Sequence, residues 1–377
     1  MPDLIYLDSA ATTQVCPAAI QASHAAMAEG WGNPSSSYPL GRAAAVKREA
    51  DRAVLAKALG CLAEEVIFTS CGTEGDNWAI RAAVDLGRRK GKHIVTTAIE
   101  HSAVLEPMKE LAAQGYEIDY LKPDKTGHIS AEQVKAALRP DTVLVSMMLV
   151  NNELGTILPV RETAAAIQEA GCPALLHVDA VQGFLKVPFT PADLGADFLA
   201  VSGHKVHAPK GVGALYIRKA LLPKIKPLLL GGGQESGLRP GTEATSQLAA
   251  FAAAVQAWPA DATERIKAVH NYALDTLGAL PGVEIVSAGD APHILAISLP
   301  GYPSEPVVRS LGDRGICVSS GSACHRGKPS HVFAALGLPP RTLMGTLRVS
   351  FSDRNTNADV DALAAALREV MATLVAR

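Results

Sequence analysis

From Gly41 to Ile217 short apolar runs alternate with stretches of helical periodicity, and this alternation restricts the fold more than any other feature of the chain. In the first stretch Val46, Ala50, Val54 and Ala58 recur at every fourth position, one face of a helix, and Gly60 follows as a stop signal. Strands are then expected at Glu65–Thr69, His93–Thr97, Glu117–Leu121, Thr142–Leu149 and Ala174–Val178, and in the short apolar run before Ser202. Helices at Asn77–Arg89, Ser102–Gln114, Ala131–Leu138 and Glu162–Ala170 fall between them. Strands separated by helices pair in parallel under a helical cover, so the fold class is α/β with a mainly parallel central sheet. Val212–Ile217 is expected to pair back into that sheet.

Beyond about Gly241 the texture changes. An Ala-rich helical stretch from Thr245 through Trp258 to Leu277 precedes short strands at Val283–Val286 and His293–Ser298. A helix at Ser304–Arg314, a loop at Ser319–Ser330, a strand at Thr346–Ser350 and a terminal helix from Asn357 follow, the pattern of a smaller α+β domain. With 377 residues, 48% of them hydrophobic, the chain can bury a large core, and its length favours two domains or one large domain with an appendage. The division expected is a large α/β domain over 16–250, with 1–15 and 251–377 forming the small α+β domain.

A net charge of −2 carries no basic excess of the kind that binds nucleic acid or anionic membranes. No apolar run reaches the roughly 20 residues that span a bilayer, and the N-terminus lacks a basic region followed by an apolar stretch, so a cytoplasmic protein is expected. Six cysteines (Cys16, Cys61, Cys71, Cys172, Cys317 and Cys324) are too scattered for a disulfide framework, and no CxxC pair points to a metal site.

Lys205 follows the apolar run ending at Ser202, and Asp179 ends a similar run 26 residues upstream. A lysine amine can form a Schiff base with an aldehyde cofactor, and a carboxylate can keep a pyridinium nitrogen protonated so that the ring accepts electrons from a carbanion. The pair therefore points to pyridoxal phosphate. Ser70-Cys71-Gly72-Thr73-Glu74 is a small-residue turn at a helix start, where free backbone N–H groups can cradle a phosphate, although the same residues also serve as plain N-caps. Ser202 and His204 could add donors. The strand before Glu100-His101 would end at the same sheet edge, where open α/β sheets bind ligands, and His101 could stack on the ring.

Taken together, Tyr6–Thr13, Gly32–Ser36, Glu100-His101, Asn151–Gly155, Asp179–Gln182, Ser202–Lys205, Gly231–Glu235 and Ser319–Cys324 resemble, in order, the motifs of the cysteine desulfurases. The likeness runs from Tyr6 to about Arg354. It implies a fold type I pyridoxal 5'-phosphate transferase of the class V aminotransferase group, acting as a homodimer. By that resemblance Lys205 bonds the cofactor, Asp179 partners the pyridine nitrogen, Gln182 donates to the phenolic oxygen, and His101 stacks on the ring and moves protons. Gly72, Thr73, Ser202 and His204 would hold the phosphate, with Thr242 supplied by the other subunit. Asn152 would lie near cofactor and substrate, and Arg348 with Asn33 would bind the carboxylate of L-cysteine, a task that suits the guanidinium fork.

Cys324 separates this chemistry from transamination. It stands among small residues and is followed by His325, Arg326 and Lys328, whose positive charge favours a thiolate. The implied reaction takes L-cysteine to L-alanine with transfer of sulfur to a Cys324 persulfide, for delivery to an iron–sulfur scaffold or sulfur-carrier protein. The alternatives are a selenocysteine lyase, a cysteine β-eliminase on the same scaffold, or a non-catalytic member. Several positions depart from the family pattern: Ser9, Tyr38, Cys71 in the phosphate turn, and His207-Ala208 after the lysine. Cys71 and Cys317 read as packing residues. Four residues separate Cys324 from Pro329, a short loop that would limit how far the thiol can carry sulfur.

Overall fold

The computed structural model describes residues 4–320 and 330–376. Twelve strands lie among the described residues: β1 Ile5–Tyr6, β2 Val66–Thr69, β3 His93–Thr97, β4 Glu117–Leu121, β5 Thr142–Met148, β6 Leu175–Asp179, β7 Phe198–Ser202, β8 Gly213–Ile217, β9 Glu284–Ser287, β10 Ile294–Ser298, β11 Ile316–Cys317 and β12 Thr346–Ser350. Seven of them form the main sheet in the order β2-β8-β7-β6-β5-β3-β4. All neighbours in it are parallel except β8, which runs antiparallel to β2 and β7. β5, β7 and β8 are buried along their whole length, as strands covered on both faces must be.

The register of this sheet sets the site. Thr69 pairs with Gly213 and Gly213 with Ser202, so the ends of β2 and β7 are separated by one residue's width. A Cβ on Gly213 would stand 2.7 Å from the Val201 carbonyl oxygen and 2.9 Å from the Cys71 carbonyl carbon, so only glycine lets the turn after β2 lie this close over β7. β6 ends at Asp179 on the same edge, and β3 feeds the turn to His101.

A second core forms around the antiparallel sheet β12-β10-β9 and the helices Ala262–Gly278 and Asn357–Thr373. In the first of these helices Ala262, Ile266, Val269, His270, Ala273 and Leu277 are buried, a stripe at helical spacing. Leu7 joins this core, and β1 pairs in parallel with β11.

Three details differ from expectation. The helix expected from Asn77 begins at Gly72, because its first turn caps a sheet edge that composition does not reveal. The Ala-rich stretch is two helices, Thr245–Gln256 and Ala262–Gly278, divided beside Pro259, which cannot donate the next helical hydrogen bond. The helix Pro17–Ala28 has no apolar stripe to announce it: Ala19 is its buried residue, while Ile20 and Met27 are exposed.

Candidate active site

At the carboxyl edge of the main sheet lies a cavity of about 280 Å³. Lys205, Asp179, His101, Gln182, Ser202, His204, Asn152, Arg348, Gly72 and Thr73 all line it, so ten expected site residues, scattered from 72 to 348 in sequence, meet in one place. Asn33 and Thr242 do not: both are exposed and lie outside this cavity. Cys324 lies outside the described residues.

Lys205 ends a single 3-10 turn, Gly203–Lys205, directly after β7. Its Nζ donates to the carbonyl oxygens of Ala10 at 2.6 Å and Ala11 at 2.8 Å. Burial, assisted by the nearby Arg348 guanidinium and opposed by Asp8 and Asp179, pulls the amine down to about 8. A lysine tuned this way spends a useful fraction of time neutral near physiological pH, as a nucleophile must.

The acidic side of the cavity holds two buried carboxyls. Burial raises the pKa of both Asp179 and Asp76. His101 and Lys205 favour the charged form of Asp179, whereas Asp179, Glu100 and Cys71 all oppose charge on Asp76. Negative charge therefore resides on Asp179, whose Oδ1 also accepts the Val181 N–H at 2.9 Å. Behind it Asp76 meets His177 Nε2 at 3.2 Å, and His177 Nδ1 meets Ser146 Oγ at 2.8 Å. Burial drops His177 to about 3, so that ring is neutral.

His101 caps the helix Ser102–Ala113, its Nδ1 accepting the Ala103 N–H at 3.1 Å. The neutral ring thus carries its proton on Nε2, and burial, against the pull of Asp179, keeps its pKa below the ordinary value. His204 is driven further down, to about 4, by burial and by Lys205, Lys210, Lys186 and His101; its Nδ1 contacts Thr12 Oγ1 at 3.2 Å.

The turn from Ser70 to Thr73 opens the helix Gly72–Gly87, and its N-cap, Cys71, makes no side-chain capping bond. Glu74 braces the turn: its Oε2 accepts the Ser70 N–H at 2.7 Å, and Arg239 grips the carboxylate through Nε at 2.8 Å and Nη2 at 3.1 Å. A Cβ on Gly72 would meet Val181 Cγ2 at 2.7 Å, so glycine lets the helix start sit against the wall formed after Asp179.

Arg348, in β12 and 3% exposed, donates to the Asn152 carbonyl at 2.8 Å and to Asp8 Oδ1 at 2.7 Å. Its Nε, together with Ser202 Oγ, Gln182 Oε1 and Asn152 Oδ1, is buried without a hydrogen-bond partner among the described residues. Orphaned polar atoms of both kinds on residues that line one cavity are costly unless a small shift of those side chains lets a polar ligand complete them. Gln182 Nε2 meanwhile donates to Ala10 O at 2.9 Å, rather than into the cavity. An open helix N-terminus, a hydroxyl beside it, a charged carboxyl and a partly neutral lysine fit a phosphorylated pyridine aldehyde. Among the described residues no group of three or more His, Cys, Asp or Glu is placed to hold a metal ion.

Sequence reasoning did not single out the carbonyls of Ala10 and Ala11, Asp8, Asp76, or the Glu74–Arg239 brace. Asp8, Ala10 and Ala11 lie in the Tyr6–Thr13 motif but had no role assigned to them, and only the fold brings them to the lysine. Cys71, read as a packing residue, stands in the cavity wall.

The aminotransferase class-V family model matches residues 5–363. Among similar curated proteins, a cysteine desulfurase of Nostoc sp. is 39% identical over 98% of this chain and 94% of its own length. A cysteine desulfurase IscS of Methanosarcina thermophila is 38% identical over 98% and 92%. Among solved structures, a NifS-like protein superposes with a TM-score of 0.91 at 34% identity, covering 98% of this chain and all of the other. SspA, solved in complex with cysteine, superposes at 0.81 with 32% identity over 93% of this chain and 99% of its own.

Proposed function

Because this chain belongs to the cysteine desulfurases of the aminotransferase class-V family, we propose that its cavity binds pyridoxal 5'-phosphate on Lys205 and takes L-cysteine to L-alanine, with the sulfur passing to Cys324. The observation that carries this reading is the meeting of a partly neutral lysine, a charged buried carboxyl and an open helix N-terminus in one cavity lined by orphaned polar atoms. When bound, the cofactor supplies an electron sink for the carbanion at the substrate Cα. Everything else falls to the chain's own side chains.

Lys205 Nζ, released from the Ala10 and Ala11 carbonyls, is the nucleophile and the group that takes and returns the Cα proton. Asp179, held by Val181 N–H, keeps the pyridine nitrogen protonated. Thr73, Ser202 Oγ, His204 and the amides at the start of the helix Gly72–Gly87 hold the phosphate. Arg348, braced by Asp8 and the Asn152 carbonyl, binds the substrate carboxylate. With Nδ1 of His101 occupied, Nε2 is the ring nitrogen that exchanges a proton with the substrate. The exposure of Thr242 in the single chain supports its assignment to a partner's phosphate, and hence a homodimer; Asn33 would complete the carboxylate site from its exposed loop. The core formed by Leu7 with residues 266–370 supports a smaller unit from 1–15 and 251–377 beside a cofactor-holding unit over 16–250. The destination of the sulfur is a cytoplasmic iron–sulfur scaffold or a carrier protein.

Holoenzyme given L-cysteine and a thiol reductant releases alanine and sulfide in equal amounts, and Cys324→Ser abolishes sulfide release while keeping the cofactor's visible absorbance. Pyruvate and ammonia in place of alanine mean β-elimination and would reject the desulfurase reading. The described residues contain no helix long and apolar enough to cross a membrane.

A further inference from the structure

Two residues beyond Lys205, His207 has φ +63°, the left-handed region that a side-chain-bearing residue rarely occupies. Such strain persists only where surrounding contacts over-determine it. Here the contacts are dense: the His207 N–H donates to Thr13 Oγ1 at 2.7 Å, and its carbonyl accepts the Cys16 N–H at 3.0 Å. The ring lies beside Trp258, centroids 5.6 Å apart.

Both ring nitrogens face acceptors. Nδ1 is 2.8 Å from the Gln14 carbonyl oxygen, and Nε2 is 2.8 Å from Asp353 Oδ1. A neutral imidazole has one N–H and would set a lone pair against one of these oxygens; the imidazolium alone donates to both. Asp353 follows β12, whereas Gln14 belongs to the segment whose Ala10 and Ala11 carbonyls hold the Lys205 amine. The ring therefore joins three chain segments at the base of the lysine's turn. The ionisable groups around it are Cys16 from the N-terminal segment, Asp353 and Arg354 after β12, Lys205 on its own turn, and Arg265, whose Nη2 is 3.9 Å from Asp353 Oδ2. Arg354 donates to Gln14 Oε1 at 2.8 Å, closing the ring of contacts.

We propose that His207, held as an imidazolium between Gln14 and Asp353, is a positioning residue for Lys205 that keeps the amine aimed into the cavity only while both ring nitrogens are protonated. The proposal rests on the reading of Lys205 as the cofactor lysine. It predicts that turnover per cofactor-loaded site falls when either hydrogen bond of this ring is removed. A purely packing role makes a different prediction: lower thermal stability and a smaller loaded fraction, with turnover per loaded site unchanged.

The experiment observes the holoenzyme carrying 15N-labelled histidine rings by NMR at pH 7. The His207 signals are those lost in His207→Gln or, should that variant not fold, those displaced in Asp353→Asn. Both ring nitrogens are expected to carry a proton in the wild type at pH 7, as their two acceptors require. In His207→Gln, kcat for L-cysteine per loaded site is expected to fall roughly tenfold with KM within about twofold, the scale of a slightly misplaced catalytic group. A neutral His207 ring in the wild type at pH 7, or an unchanged kcat per loaded site in both variants, overturns the proposal. Failure of the wild type to develop visible absorbance with the cofactor would overturn the Lys205 reading instead, so the two failures are distinct.

Discussion

The chemistry of the site depends on how far its surroundings move one amine. Burial and Arg348 bring Lys205 to about 8, from 10.5 for a solvated lysine. Only the neutral amine attacks an aldehyde, so the sign is fixed: attack is slow below this value and levels off above it. With the cofactor stripped, the initial rate at which visible absorbance returns on adding pyridoxal phosphate should rise roughly fifty-fold from pH 6 to pH 8 and then flatten, following the neutral fraction. A rate still climbing tenfold per unit at pH 9 would mean that the amine is ordinary and solvated. Lys205 and Asp179 were legible in the sequence because each closes an apolar strand, and adjacent strand ends in such a sheet share an edge. Asp76 was not legible. It lies inside a helix, and its importance comes from sharing the cavity floor with Asp179, which no spacing encodes.

At the scale of elements, the helix Gly72–Gly87 determines where a phosphate can sit. Its inner face comes close to the sheet through glycine: a Cβ on Gly75 would lie 3.1 Å from Ala200 Cβ. Gly75→Val is expected to push the helix start away from Ser202 and weaken cofactor binding roughly tenfold, within the range of overpacking costs. Titration of the stripped protein with pyridoxal phosphate measures this; an unchanged Kd would show that the helix start does not hold the phosphate. β3 and β4 were read from sequence to the residue, His93–Thr97 and Glu117–Leu121, because turn residues bound them on both sides. The start of this helix was missed by five residues, since Gly72 to Asp76 looks like a turn when the strand beneath it is not in view. The two-residue strands β1 and β11 are beyond any periodicity argument; their pairing comes from the second core that closes over them.

At the scale of the whole molecule, stability should carry the mark of a buried amine that the proposed chemistry does not use. Lys186 is 2% exposed, its Nζ has no hydrogen-bond partner among the described residues, and burial together with Lys205 lowers it to about 7. Its folded value lies below the unfolded one, so between about 7 and 10.5 the unfolded chain binds a proton that the native chain does not, and stability rises with pH through that window. Urea unfolding of the stripped protein at pH 7 and 9.5 should show a larger gain for the wild type than for Lys186→Met, by roughly 3 kcal/mol at 1.4 kcal/mol per unit. Equal gains would mean that the amine reaches water. The change in texture near Gly241 announced the helices and strands of the second core, but not that Val332, Phe333 and Leu336 would pack into the first. The enclosure of Lys186 was not legible, because a lysine in a turn segment reads as a surface residue.

Lys186 also supplies the most direct test of the central claim, because it is a second buried amine near enough to Lys205 for the charge of Lys205 to lower its pKa. Borohydride reduction of the holoenzyme locks the cofactor onto whichever lysine holds it, and peptide mapping by mass spectrometry then locates the adduct. The account predicts one pyridoxyl group per chain, on Lys205, with loss of visible absorbance and no adduct in Lys205→Ala. An adduct on Lys186 or any other lysine, or one formed equally well in Lys205→Ala, would contradict it.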